Sequence, residues 1–195
     1  MSTTKPLKTD KKQLLTDTAL TLFYRHGIHA VGINEVLKVS GVAKKTLYSY
    51  FSSKDDLILA ALAARDEIFM TWLAQQLAPA SNDEEVITFL FKGLSDWFHD
   101  QVPELSPFRG CFFINASAEF SEENTAITDY CSGHKRKVRT LIQQHLHSPD
   151  EVFLDTICLL KEGAIVSAFV GKDLDAAEKC VEMLLNSLSP GNQHV

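Results

Sequence analysis

The 195-residue chain has little cysteine, and what it has is unpatterned: Cys111, Cys131, Cys158 and Cys180 are scattered without a CxxC pair. That spacing argues against a zinc site or a disulfide framework and predicts reduced thiols. No apolar run reaches the ~18 residues that a membrane helix needs, so no membrane is expected as a partner. The opening MSTTKPLKTDKKQ lacks an apolar h-region, so nothing in it marks a secretory signal. A cytoplasmic protein is expected. HExxH, GxSxG, a phosphate loop and a carboxylate pair set in glycine turns are also missing. The sequence therefore offers no catalytic residue, no metal ligand and no cofactor site, and an enzyme is not expected. Strand patterns are lacking too, since no segment alternates strongly enough to outcompete a helical period.

Charge is unevenly spread. The whole chain carries a net −6, which by itself argues against a nucleic-acid partner. Residues 1–60 hold nine Lys/Arg against five Asp/Glu, a net of +4, whereas residues 61–195 hold ten against twenty, a net of −10. A basic head on an acidic body points one end at phosphates and keeps the other away. Lys5, Lys8, Lys11 and Lys12 make a basic N-terminal arm, which suits either phosphate contacts or a solvated tail.

The stretch INEVLKVSGVAKKTLYSYFSSK, residues 33–54, organises the rest. Ile33, Val36 and Leu37 share one face of a short helix. Ser40-Gly41 breaks it, and Gly41 can take the left-handed conformation of a tight turn. Val42, Leu47 and Phe51 give a second short helix, near residues 43–50, a buried side. Its other side carries Lys44, Lys45, Thr46, Tyr48 and Ser49. A short helix with one dry face and one basic, hydroxyl-rich face suits a major groove. A helical hairpin with merely solvated lysines has the same pattern.

VAKKTLYSYFSSKDDL resembles the DNA-binding core of TetR/AcrR-type transcriptional repressors. Val42, Thr46, Leu47, Tyr48, Phe51, Lys54 and Leu57 stand where that family's recognition segment has its motif. The resemblance implies an all-α fold. It further implies an N-terminal three-helix DNA-binding head with a helix-turn-helix over residues 1–55. Residues 56–195 would then be a C-terminal helical ligand-binding and dimerisation bundle. Lys44, Lys45, Thr46 and Tyr50 are the candidate base-edge contacts, and Tyr48 and Lys54 the candidate phosphate contacts. Lys54 also sits against the helix dipole at a helix start, a misfit that an outside anion would relieve. The residue opening the second helix is usually Ser or Thr in that family. Here it is Gly32, which has no hydroxyl to offer a phosphate.

Further helices are predicted over residues 10–26, 54–77, 84–101, a segment ending near Phe120, 124–147 and 151–170, with a last one carrying residues 177–188. The fourth helix, from Lys54, has Ile58, Ala61, Leu62, Arg65, Ile68, Phe69 and Trp72 on a broad inner side. Phe89, Leu90, Leu94, Trp97 and Phe98 are expected inward on the fifth. The helix from residue 124 is expected to bury Tyr130, His134, Val138, Leu141 and Ile142, while Lys135, Arg136, Lys137 and Arg139 form a solvated outer face or a second DNA patch. Residues 151–170 are apolar nearly all round, and such a helix must be covered on both sides. The resemblance implies a homodimer through the two C-terminal helices, and two-fold symmetry would place two recognition helices on successive major grooves of a palindromic operator.

The body is rich in aromatics, and from the residues alone an aromatic stripe is plain core. R-G-C-x-x-x-N-A, from Arg109, looks like a segment of many TetR-type ligand domains. The resemblance implies a small-molecule effector in a pocket drawing on Trp72, Trp97, Phe112, Phe113, Asn115, Glu119, Tyr130 and His134. Effector binding would favour a conformation that fits operator poorly. An alternative sensor is Cys111, at an expected helix start beside Arg109, through oxidation or alkylation. A helical scaffold and an enzyme using Glu119 with His134 are the remaining readings.

Overall fold

A computed structural model describes residues 10–120, 125–147 and 150–188. Among them the chain is all helical, with nine helices and no strand. No described helix is long and apolar enough to cross a membrane. Lys5 and Lys8 of the basic arm lie outside the described residues.

Three helices make the N-terminal part. Asp10 caps α1 (Lys11–His26) by accepting the Lys12 N–H at 2.9 Å. The α1 stripe Leu15, Ala19, Leu22 and Phe23 is buried and packs on α2 (Ile33–Ser40) and α3 (Lys44–Tyr50). Gly41 ends α2 at φ 67°, donating its N–H to the Leu37 carbonyl at 3.0 Å. That left-handed turn is what re-aims the chain into α3. Gly32 caps α2 with no side-chain bond, as its sequence implies.

Helix α4 (Lys54–Leu77) starts directly after Ser53. Ser53 Oγ accepts the Asp56 N–H at 3.1 Å, and the Asp56 carboxylate takes both the N–H and the hydroxyl of Ser52. Those bonds hold the Asp56 carboxyl below its ordinary pKa. Leu57, Ile58, Ala61, Leu62, Phe69, Trp72, Leu73 and Leu77 are buried along α4. Ile68, expected inward, is half-buried, because the stripe turns through Arg65, Asp66 and Phe69 instead.

Helix α5 (Asp83–Phe98) is capped by Asn82, which accepts the Glu85 N–H at 2.9 Å. It ends at Phe98 and not near Gln101. Asp100 takes φ 59° there and its carboxylate accepts the Phe108 N–H at 2.5 Å, folding the following loop back. Phe91, not Phe89, is the buried phenylalanine at that level. The remaining helices are α6 (Phe112–Glu119), α7 (Thr125–His145), α8 (Glu151–Val170) and α9 (Ala176–Leu188). On α7 the buried seam is Ile127, Cys131, His134, Val138 and Ile142. Tyr130 and Leu141, expected inward, flank it half-buried. Gly110, before α6, has φ 76°, and a Cβ there would meet the Phe169 ring at 2.9 Å, so a side chain is excluded twice over.

By contacts the chain divides into two compact units. One holds the described part of 1–65 with that of 115–131; the other holds 66–114 with that of 132–195. The boundaries fall inside α4, α6 and α7, so each of these helices contributes to both. Within the second unit α5 packs against α8 and α9, and α8 against α9.

Candidate nucleic-acid interface

Seven residues make α3, too few to be stable alone. Tertiary burial holds it: Leu47 is wholly buried, with Val42 and Phe51 at its two ends. The opposite side is open. Lys44, Lys45, Tyr48, Ser49 and Tyr50 are exposed, and Thr46 is half-buried. Lys44 Nζ lies 6.0 Å from the Tyr48 ring centre, one helical turn away. The Ser49 hydroxyl donates to the Thr46 carbonyl at 2.7 Å. Five of the six residues expected to touch DNA therefore share this helix.

Lys54, the sixth, stands apart from α3 and has its own partners. Its ammonium donates to the Ile28 carbonyl at 2.7 Å and lies 5.9 Å from the Phe23 ring centre. Burial lowers its pKa, against the pull of Glu119 and Asp55. The carboxylate of Glu119, at the end of α6, closes the same turn from another side. It accepts the Ile28 N–H at 2.8 Å and the His29 N–H at 2.6 Å. The dipole misfit of Lys54 is thus relieved within the molecule. Glu119→Ala is expected to cost about 1–2 kcal/mol of stability, since two backbone donors lose one charged acceptor in a partly solvated place. Glu119→Gln should recover part of it in a denaturant titration; an unchanged midpoint for Glu119→Ala would show the clasp to be idle.

The eight residues expected around an effector are divided between the two units. Asn115, Glu119 and Tyr130 fall in the first unit; Trp72, Trp97, Phe112, Phe113 and His134 fall in the second. Glu119 is engaged with the turn at Ile28. The second set is buried and joined through Phe69, which the sequence reading left as plain core. The Phe69 ring lies 5.2 Å from Trp72, 5.8 Å from Trp97 and 5.3 Å from His134. His134 stacks on Phe113 at 3.5 Å, and Phe112 follows at 6.2 Å from Phe113. Trp72 Nε1 is buried with no hydrogen-bond partner among the described residues.

Asp66 is the polar residue the sequence reading missed there. It is buried, accepts from His134 Nδ1 at 2.7 Å and also receives the Lys137 ammonium. Burial works against its charge, but these two partners outweigh that and keep its carboxyl pKa low. An aspartate on the inner stripe of an apolar helix was the available signal. Cys111 precedes α6 as expected, and the Lys135 ammonium lies 3.3 Å from its sulfur. The KRKVR cluster is neither a purely solvated face nor a bare basic patch. Lys135 pairs with Glu162, Lys137 with Asp66, and Arg139 with Glu151 and Asp155.

Residues 15–61 match the family model for bacterial regulatory proteins of the tetR family. A TetR-family transcriptional regulator from Streptomyces coelicolor superposes with a TM-score of 0.80 at 26% identity, covering 92% of this chain and 96% of that one. Residues 15–61 are a TetR-family segment. The transcriptional regulator YxaF of Bacillus subtilis is 30% identical over 90 residues, 46% of this chain and 47% of that protein. The transcriptional repressor ComR of Escherichia coli is 27% identical over 129 residues, 65% of this chain and 60% of ComR. The chain thus spans about half the length of these two relatives. The 15–61 match contains α2 and α3 whole, so the TetR-family segment and the exposed basic helix coincide.

Proposed function

We propose that this protein is a DNA-binding transcriptional repressor, acting as a homodimer on a palindromic operator and released from it by a small-molecule effector. The observation that carries the reading is the exposed lysine, hydroxyl and tyrosine face of α3 over a fully buried Leu47. Lys44, Lys45, Thr46 and Tyr50 serve base edges or their surroundings, and Tyr48 and Lys54 serve phosphates. Lys54 has three donors and spends one on Ile28, which leaves two for a phosphate. Backbone N–H groups opening α2 take over the phosphate role that Gly32 has no hydroxyl for. Residues 1–55 are the reading head, and 56–195 sense effector and dimerise, in the cytoplasm.

Support for a dimer comes from α8. Val152, Leu159, Val166 and Val170 are 74%, 73%, 45% and 72% exposed, and seven-residue steps link the first three. An apolar heptad seam left open on one chain fits a second copy. The unpartnered Trp72 N–H within the aromatic group supports an effector with an acceptor atom. The relative ComR is a transcriptional repressor. Oxidation or alkylation of Cys111 is a second trigger, favoured by the Lys135 ammonium held against its sulfur. Thiol labelling of wild type and Cys111→Ser separates the two triggers, and the same labelling rate in both removes the second.

The deciding experiment is a salt titration of binding to duplex DNA from upstream of the protein's own gene. Wild-type affinity should fall steeply with salt, and Lys45→Ala and Lys54→Ala should each flatten the log–log slope by about 1. No binding at low salt, or three identical slopes, would exclude this interface.

A further inference from the structure

A cleft of about 650 Å³ runs along α7 and α8 in the second unit. Its walls are uneven in charge. Four cations, Lys135, Arg136, Arg139 and Lys161, face two carboxylates, Asp155 and Glu162. Arg139 is matched twice, by Glu151 at 2.6 Å and Asp155 at 2.7 Å. Lys161 and Lys135 are not matched in this way. Lys161 is only 3% exposed, yet its ammonium pairs with Glu162, and the other oxygen of the same carboxylate takes Lys135 at 2.6 Å. One carboxylate therefore serves a buried ammonium, that of Lys161, and a half-buried one, that of Lys135, which also lies 3.3 Å from Cys111 Sγ. Burial opposes the charge on Glu162, but the two lysines outweigh it and hold its carboxyl below the ordinary range.

A shielded cation is costly unless an anion accompanies it. Here one negative charge is lacking, and the gap opens onto a cleft. The remaining walls include Ile114, Val138 and Leu159, and burial raises the pKa of the adjoining Cys158 thiol, which keeps it uncharged. The volume lies within the range of small-molecule sites, roughly 300–1,000 Å³. We propose that this cleft binds an organic monocarboxylate with an apolar body, its carboxylate completing the charge on Lys161 and Lys135 and its body lying against Ile114, Val138 and Leu159. None of these residues belongs to the aromatic group around Phe69, so the site is distinct from it. Leu159 also stands in the open α8 seam, so an occupant would lie beside the proposed dimer contact. That the carboxylate is the effector rests on the repressor reading; that the cleft binds it does not.

The test is calorimetric binding to the full-length protein of three matched probes: 4-phenylbutyrate, 4-phenylbutanol and 4-phenylbutylamine. The carboxylate should bind at least tenfold tighter than the alcohol, and the amine weaker still. Lys161→Met keeps the side-chain volume and leaves Glu162 paired with Lys135. It should melt no lower than wild type and lose tenfold or more of carboxylate affinity. Arg136→Gln, on the exposed rim, should lose less. Equal binding of acid and alcohol, undiminished binding by Lys161→Met, or no binding at millimolar probe would overturn the site. An operator titration in 4-phenylbutyrate separates the two readings. Binding without operator release upholds the cleft and removes its effector role; operator binding with no carboxylate binding removes the cleft alone.

Discussion

Lowering the pH from 7 to 4.5 is expected to remove about 2.5 kcal/mol of folding stability through one imidazole, that of His134. The ring is 2% exposed, stacked on Phe113 and edge-on to Phe69. Burial pushes its pKa from the ordinary 6.5 down to about 4. The hydrogen bond to Asp66 pulls the other way, and the charges of Lys135 and Lys161 add to the lowering. At neutral pH the pair is therefore a neutral imidazole donating to a carboxylate, not an ion pair. A folded-state pKa below the unfolded one gives stability that is complete above pH 6.5 and is lost as pH falls towards 4. The Asp66 carboxyl is held below its own ordinary value and titrates lower still, so its loss comes later. Denaturant midpoints at the two pH values, for wild type and His134→Gln, isolate the contribution. The variant should show a loss smaller by about 2 kcal/mol; equal losses would mean that the ring is already protonated in the folded protein.

Much of the head was legible because its signals are local. Ser40-Gly41 punctuates within one turn, and α2 and α3 lie on either side of it as those residues imply. The long-range partners were not legible. Nothing near Lys54 in sequence announces the Ile28 carbonyl, and nothing near Glu119 announces two N–H groups some ninety positions earlier. The described part of residues 115–131 joins the first unit for the same reason, as tertiary packing has no local mark. Periodicity also fails where a helix is apolar on several sides. Phe89 and Phe91 compete for the inside of α5, and backbone phase rather than hydropathy decides for Phe91. In α7 the basic run hid its pairing, because Glu151, Asp155 and Glu162 lie on another helix and Asp66 on a third. The candidate effector residues were chosen for chemistry, and the fold sorts them by place: five in one aromatic group and three in the other unit.

Val166→Glu is expected to convert a dimer into monomers and to carry operator affinity into the non-specific range, about 10⁻⁴–10⁻⁶ M at physiological salt. Val166 is 45% exposed on a single chain, so a carboxylate there has water and leaves the monomer fold intact. In a two-fold seam the same position lies close to its own copy or to the facing layer of Leu159 and Gly163, and two carboxylates would be desolvated together. Each monomer keeps α3 and its lysines, so non-specific binding and its salt dependence survive. What goes is the fixed spacing of two recognition helices, about 34–36 Å apart, on which specific binding by a symmetric regulator depends. Specific affinities are typically 10³–10⁷ tighter than non-specific ones, so the predicted change is far outside the error of a binding assay. Sedimentation of wild type and variant at micromolar concentration gives the mass, and a filter-binding titration gives the affinity. A variant that still sediments as a dimer would place the interface away from this face of α8. A monomeric variant with undiminished operator affinity would show that one head suffices, and the palindromic operator would have to be abandoned.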